Sequence, residues 1–214
     1  ITFTGGSLAA DASCTITFPV QTFNNTATGN RTNTIAVNAV TGTPPVGDPV
    51  KNLIAIAGTL AVTAPATASK GFSPSSVPAG TDSLLTITVT RPNNAPAWAN
   101  FTITDNLPAG HTISPVVATP AGTACVGTLT APSGGTTIQF ASTTPPANNA
   151  FCTIRVNVRT PSGSAGTATN TITPGQFVVS YVGGGSYANN ANITAEIKRV
   201  TASVTLTKSF DPAV

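Results

Sequence analysis

The stretch Ser69-Lys70-Gly71-Phe72-Ser73-Pro74 returns 138 residues later as Thr207-Lys208-Ser209-Phe210-Asp211-Pro212. A period of that length is a domain rather than a solenoid turn. Other landmarks return with it. Ile1-Thr2-Phe3 reappears as Ile138-Gln139-Phe140, Cys14-Thr15-Ile16-Thr17-Phe18-Pro19-Val20 as Cys152-Thr153-Ile154-Arg155-Val156-Asn157-Val158, and Asn33-Thr34-Ile35 as Asn170-Thr171-Ile172. These offsets are 137, 138 and 137, so the register slips by a single residue. The spacing predicts a window onto a tandem array, cut at both ends from a longer chain. Residues 1–66 are then the C-terminal part of one repeat, 67–204 a complete repeat, and 205–214 the first strand of a following one.

Only 7% of the 214 residues are charged, against roughly 25% in an ordinary globular protein. Thr, Ala, Asn, Ser, 19 Gly and 18 Pro fill their place, a mixture that suits short strands and many turns and lacks the formers of helices. The net charge of +3 is spread thinly, with no Lys/Arg cluster able to neutralise a run of phosphates, which argues against nucleic acid as a partner. No apolar run approaches the ~20 residues of a membrane-spanning helix, so membrane insertion of this segment is not expected.

The strand pattern is dense. Ser83–Thr90 alternates most clearly, with Leu85, Ile87 and Val89 on one face and Thr86, Thr88 and Thr90 on the other. Cys14–Val20, Thr34–Val40, Leu53–Thr63, Ser69–Phe72 and Trp98–Thr104 read as further strands. So do residues 112–118, 123–130, 136–141, 151–159, 176–182 and 188–197. Asn24–Thr34 reads as a polar loop or weak strand, Pro74–Gly80 as a turn, and Asp105–Gly110 as the turn that reverses the chain after Trp98–Thr104. Short strands with turn signals every 8–15 residues predict an all-β, antiparallel β-sandwich. Trp98, Phe101, Leu85, Ile87, Val89, Ile103, Ile154 and Val156 are its expected core.

Three cysteines fit the same repeat. Cys125 and Cys152 both lie in the complete repeat, and Cys14 is the mate of Cys152, leaving the mate of Cys125 outside this chain. A truncated array of one-disulfide domains leaves such an odd cysteine, and the alternative is three buried thiols. A Cys125–Cys152 bond implies an oxidising, extracellular compartment.

The sequence Lys-x-Phe-x-Pro, then Pro78 to Asn93, then Phe101-Thr-Ile-Thr-Asp-Asn-Leu-Pro-Ala-Gly110, resembles the "domain of unknown function eleven" type of tandem repeat. Ala150–Val158 and Gly166–Thr173 are similar to that type's second half. Arg91, where a polar Asn or Thr is usual, and the Pro-Ala-Trp insertion after it are departures. The resemblance implies tandem immunoglobulin-like β-sandwiches in bacterial cell-surface or secreted fibres, stalks and adhesins. It implies no chemistry.

Catalytic groups are scarce. His111 is the single His and reads as a solvent-facing loop residue; no Gly-x-Ser-x-Gly is present, and the six carboxylates do not pair. No Cys-x-x-Cys or acidic cluster suggests a metal, and no cofactor is expected. The threonine ladders read as solvated strand faces. One constellation carries possible covalent chemistry. Surface sandwiches can hold an intramolecular Lys–Asn isopeptide bond made beside a buried carboxyl. Lys70 on the first strand, Asp105 at the end of a central one and Asn170 before a late one are the candidates, with Lys208 and Asn33 as their copies. The plainer reading makes Lys70 a surface charge, Asp105 a turn cap and Asn170 a backbone-bonded amide.

The expectation is therefore a non-enzymatic structural module, a stiff disulfide-pinned spacer of a secreted or cell-surface bacterial fibre or adhesin, whose partners are neighbouring repeats or copies of itself. Two alternatives stay open: a filament subunit assembling by strand exchange, and an adhesin module binding a surface glycan or host protein through Trp98, Tyr181 or Tyr187.

Overall fold

In the computed structural model, residues 2–20, 28–116, 123–201 and 206–208 are described. They form strands and turns only, divided into two compact units, residues 1–62 and 63–214.

The first unit holds four strands. β1 (Gly29–Ile35) pairs antiparallel with β4 (Ile56–Val62), Ile35 opposite Ile56 and Gly29 opposite Val62. Between them β2 (Thr41–Gly42) and β3 (Val50–Lys51) form a small hairpin. Asn52 clips that hairpin shut. Its Oδ1 accepts the Val40 N–H at 2.8 Å, and its Nδ2 donates to the Ala36 and Ile54 carbonyls, both at 2.8 Å. Every residue of β1 is exposed, as is nearly all of β4.

Two expectations fail here. The strand lies at Gly29–Ile35, largely inside the stretch read as a loop or weak strand, while 36–40, read as part of the strand Thr34–Val40, turns through Asn38 at φ 65°. Polar β1 is a strand because β4 supplies its hydrogen bonds along seven residues. Cys14–Val20, with its strong alternation, is not a strand. Its counterpart in the second unit, Ala150–Arg159, gets its ladder from a ten-residue partner, and among the described residues no strand pairs with Cys14–Val20. Alternation marks a face to be covered; the ladder still needs a second strand.

The second unit is a sandwich. One sheet runs β5 (Thr67–Ser73), β7 (Asp82–Arg91), β12 (Ala150–Arg159), β9 (Thr112–Ile113). The other runs β10 (Val126–Thr130), β11 (Thr137–Thr144), β8 (Trp98–Asn106), β13 (Gly166–Ile172), β16 (Ile193–Val200), β6 (Ser76–Pro78). β14 (Phe177–Tyr181) also pairs with β8, and β15 (Ser186–Ala188) with β14. β6, in the stretch expected to be a turn, pairs parallel with β16.

Alternation decides what enters the space between the sheets. Leu85, Ile87 and Val89 of β7 and Ile154, Val156 and Val158 of β12 meet Phe101, Ile103, Ile138, Phe140, Phe177, Val179 and Ile197 of the facing sheet. Phe101 sits centrally, its ring 5.5 Å from Phe140 and 6.3 Å from Phe177. All eight core residues expected from the sequence are buried.

Candidate functional site

The same alternation carries three polar side chains inside. On β5, Lys70 lies two residues before buried Phe72; on β8, Asp105 follows Phe101 and Ile103; on β13, Asn170 precedes Ile172. Lys70 belongs to one sheet and the other two to the opposite sheet, so the three meet across the sandwich.

Their geometry is tight. Lys70 Nζ donates to Asp105 Oδ1 at 2.9 Å and to Oδ2 at 3.0 Å, and Asn170 Nδ2 donates to the same Oδ2 at 3.0 Å. The Lys70 and Asp105 side chains are wholly shielded from solvent, and so is Asn170. Asn170 Oδ1 is buried without a hydrogen-bond partner. Thus Lys70 is not a surface charge, Asp105 does not cap a turn (its strand runs on through Asn106), and Asn170 bonds a side chain rather than backbone.

Burial sets the protonation. It pulls the Lys70 ammonium below the ordinary lysine range, opposed by the Asp105 charge and hydrogen bond. It pushes the Asp105 carboxyl up, opposed by Lys70 and the Asn170 amide. Both shifts bring the two groups closer in proton affinity, which eases passage of the shared proton from nitrogen to oxygen to give a neutral amine beside a neutral acid. A half-turn of the Asn170 amide would then let the acid donate to Oδ1, exchanging the present Nδ2 hydrogen bond for one to the carbonyl oxygen.

Such a set can perform an amide exchange. In such an exchange the Lys70 nitrogen lone pair would attack Asn170 Cγ, Asp105 would polarise the amide oxygen, and the carboxyl would relay the proton lost by nitrogen to the departing amide nitrogen. A Cγ–Nζ bond would form, the Cγ–Nδ2 bond would break, and ammonia would leave. No oxidant or cofactor takes part.

One covalent tie is present, a disulfide. Cys125 and Cys152 are bonded, with Cα atoms 4.8 Å apart, and Cys14 is free and exposed. Cys152 lies on β12 and Cys125 immediately before β10, so this bond also joins the two sheets.

His111 corrects a sequence expectation. It is buried, with Nδ1 3.3 Å from the Ala109 carbonyl and Nε2 unpartnered, where a solvent-facing loop residue was expected. Among the described residues, no group of three or more His, Cys, Asp and Glu is arranged to hold a metal ion.

Fold and site together define a β-sandwich domain tied between its sheets by a disulfide and holding a buried Lys–Asp–Asn cluster. The family described as domain of unknown function DUF7933 matches residues 66–195, and the chain belongs to that family. No curated protein matches it.

Proposed function

We propose that residues 66–200 are a structural, non-enzymatic module that cross-links itself through a Lys70–Asn170 isopeptide bond, promoted by Asp105. The module serves as a stiff spacer in a secreted or cell-surface bacterial fibre or adhesin. The observation that carries this reading is the sealed cluster in which both reacting side chains bond one carboxylate. A buried lysine–aspartate pair is expensive to maintain for stability alone, and a hydrophobic pair of similar volume would serve a sandwich core as well or better. A covalent product justifies it. The bond would join the first strand of one sheet to a central strand of the other and would act with the disulfide to hold the halves together. The extracellular setting is supported by the disulfide and by the surface-repeat resemblance.

The test is the intact mass of the disulfide-reduced chain. The expected value lies one ammonia below the sequence mass, and peptide mapping places the link between residues 70 and 170. Lys70→Ala and Asn170→Ala should restore the full calculated mass of each variant. A wild-type chain of full mass, folded and kept near neutral pH, would remove the cross-link from the function.

A further inference from the structure

Residues 29–62 match residues 166–199 in strand pairing as well as in sequence. β1 and β4 pair Ile35 with Ile56 and Asn33 with Gly58; 137 positions on, β13 and β16 pair Ile172 with Ile193 and Asn170 with Ala195. β2 pairs Thr41 with Lys51, and β14 pairs Val178 with Ala188 at the same offset. The Asn52 clip recurs as well. Asn189 Oδ1 accepts the Phe177 N–H at 2.9 Å, and its Nδ2 donates to Thr173 and Ala191. Asn38 and Gly175, equivalent in position, both take positive φ.

What differs is the cover. Ile35 is 42% exposed and Ile172 1%; Leu60 is 44% and Ile197 0%; Val40 is 52% and Phe177 1%. In the second unit those positions face strands drawn from residues 67–144, with β8 paired to both β13 and β14. In the first unit the same positions face solvent, Asn33 stands where Asn170 does, and Cys14 is unpaired where Cys152 is bonded.

We infer that residues 1–62 are a seat for the first half of a second sandwich, a segment built like residues 63–137, which brings a lysine, a carboxylate and a cysteine to Asn33 and Cys14. A strand like β8 would enter between β1 and β2, as β8 itself lies against β13 and β14. Its aspartate and the lysine of a strand like β5 would then reach Asn33. The chemistry at Asn33 rests on the Lys70–Asn170 reading; the seat does not. The lysine nitrogen bonds Asn33 Cγ and releases one ammonia. The two thiols each give up a proton and an electron to a small-molecule disulfide in the buffer, which is reduced to two thiols.

The experiment joins a second copy of residues 63–137 directly ahead of residue 1 of the full chain, since Ile1 is the counterpart of Ile138. Three readouts are taken against the 214-residue chain. Amide exchange over residues 29–62 should slow by more than about 100-fold, the Cys14 thiol should become unavailable to alkylation, and a second ammonia should be lost. Asn33→Ala should abolish that second loss while leaving the first. Unchanged exchange together with a still-reactive Cys14 would overturn the seat, whatever happens at Lys70. Slowed exchange and a paired Cys14 without a second ammonia, in a protein that has lost the first, would overturn the role of Asn33 alone. Loss of no ammonia at all would remove the isopeptide reading, and the exchange and thiol readouts would still decide the seat. If the joined protein fails to fold, adding a separately made 63–137 segment to the full chain gives the same three readouts.

Discussion

β1 with β4 and β13 with β16 are the same pairing at the same register, yet one lies bare and the other is sealed in a core. Hydrogen-bond ladder, turn geometry and asparagine clip form in both, so these are local properties of the segment. Burial, the shifted lysine and carboxyl, and the paired cysteine appear only where strands 67–144 are also present. The hairpin is encoded locally and the site is not.

Substitutions at equivalent positions sharpen that contrast. The largest effect is expected for Asn170→Ala against Asn33→Ala. Losing a cross-link that closes the loop from residue 70 to 170 should cost about 4–5 kcal/mol in denaturant unfolding, while the exposed copy should change stability by less than about 0.5 kcal/mol. Asp105→Ala should cost about 3–5 kcal/mol in a chain not yet cross-linked, because it leaves Lys70 buried without a partner. Next, Ile172→Ala should cost about 2–5 kcal/mol and Ile35→Ala almost nothing; equal effects would mean that the first unit is covered in solution. The smallest contrast is at the clips. Asn189→Ala, with its buried amide, should cost about 1–3 kcal/mol, and Asn52→Ala distinctly less.

The pH dependence of bond formation follows from the two shifts. Asp105, raised, keeps its proton to a higher pH, and Lys70, lowered, becomes an amine at a lower one. Between the two apparent values of the pair, the proton only moves from nitrogen to oxygen, so the reactive fraction does not change with pH. The rate of ammonia release as a chain not yet cross-linked folds should be flat near neutrality. It should fall in acid, where the amine is protonated, and in alkali, where the carboxyl has lost its proton. A rate that climbs steadily with pH would mean that Asp105 is not the proton carrier.

Much of the sandwich was legible because Leu85, Ile87, Val89, Phe101 and Ile103 alternate as a buried face must. β13 reads only as a threonine ladder on a solvated strand face and not as a core strand, since its inward positions are Gly166, Ala168 and Asn170 before a single Ile172, a pattern without apolar periodicity. It is nevertheless the strand that carries the amide. Lys70 and Asp105 could be chosen by residue type, but their burial could not. Lys70 shows it only in being two residues from Phe72, and Asp105 only in continuing the Phe101–Ile103 face past the expected turn. His111 defeated the reading for the opposite reason: a residue beside a Pro-Ala-Gly turn looks exposed, and tertiary packing buries it.

The position of Lys70 near the start of the sandwich has a consequence for a chain under tension. With the 70–170 bond closed, a pull on the two ends enters along β5, crosses to β13 through the new amide, and leaves by way of β16. Everything from Gly71 to Thr169 lies off that load path and cannot be extended. Besides the three residues Thr67–Ser69 ahead of the link, the stretch from Thr171 to Val200 could unravel, releasing about 100 Å of chain. A string of such domains would stretch by short, bounded steps and recoil from each with the segment between Lys70 and Asn170 still held by its cross-link.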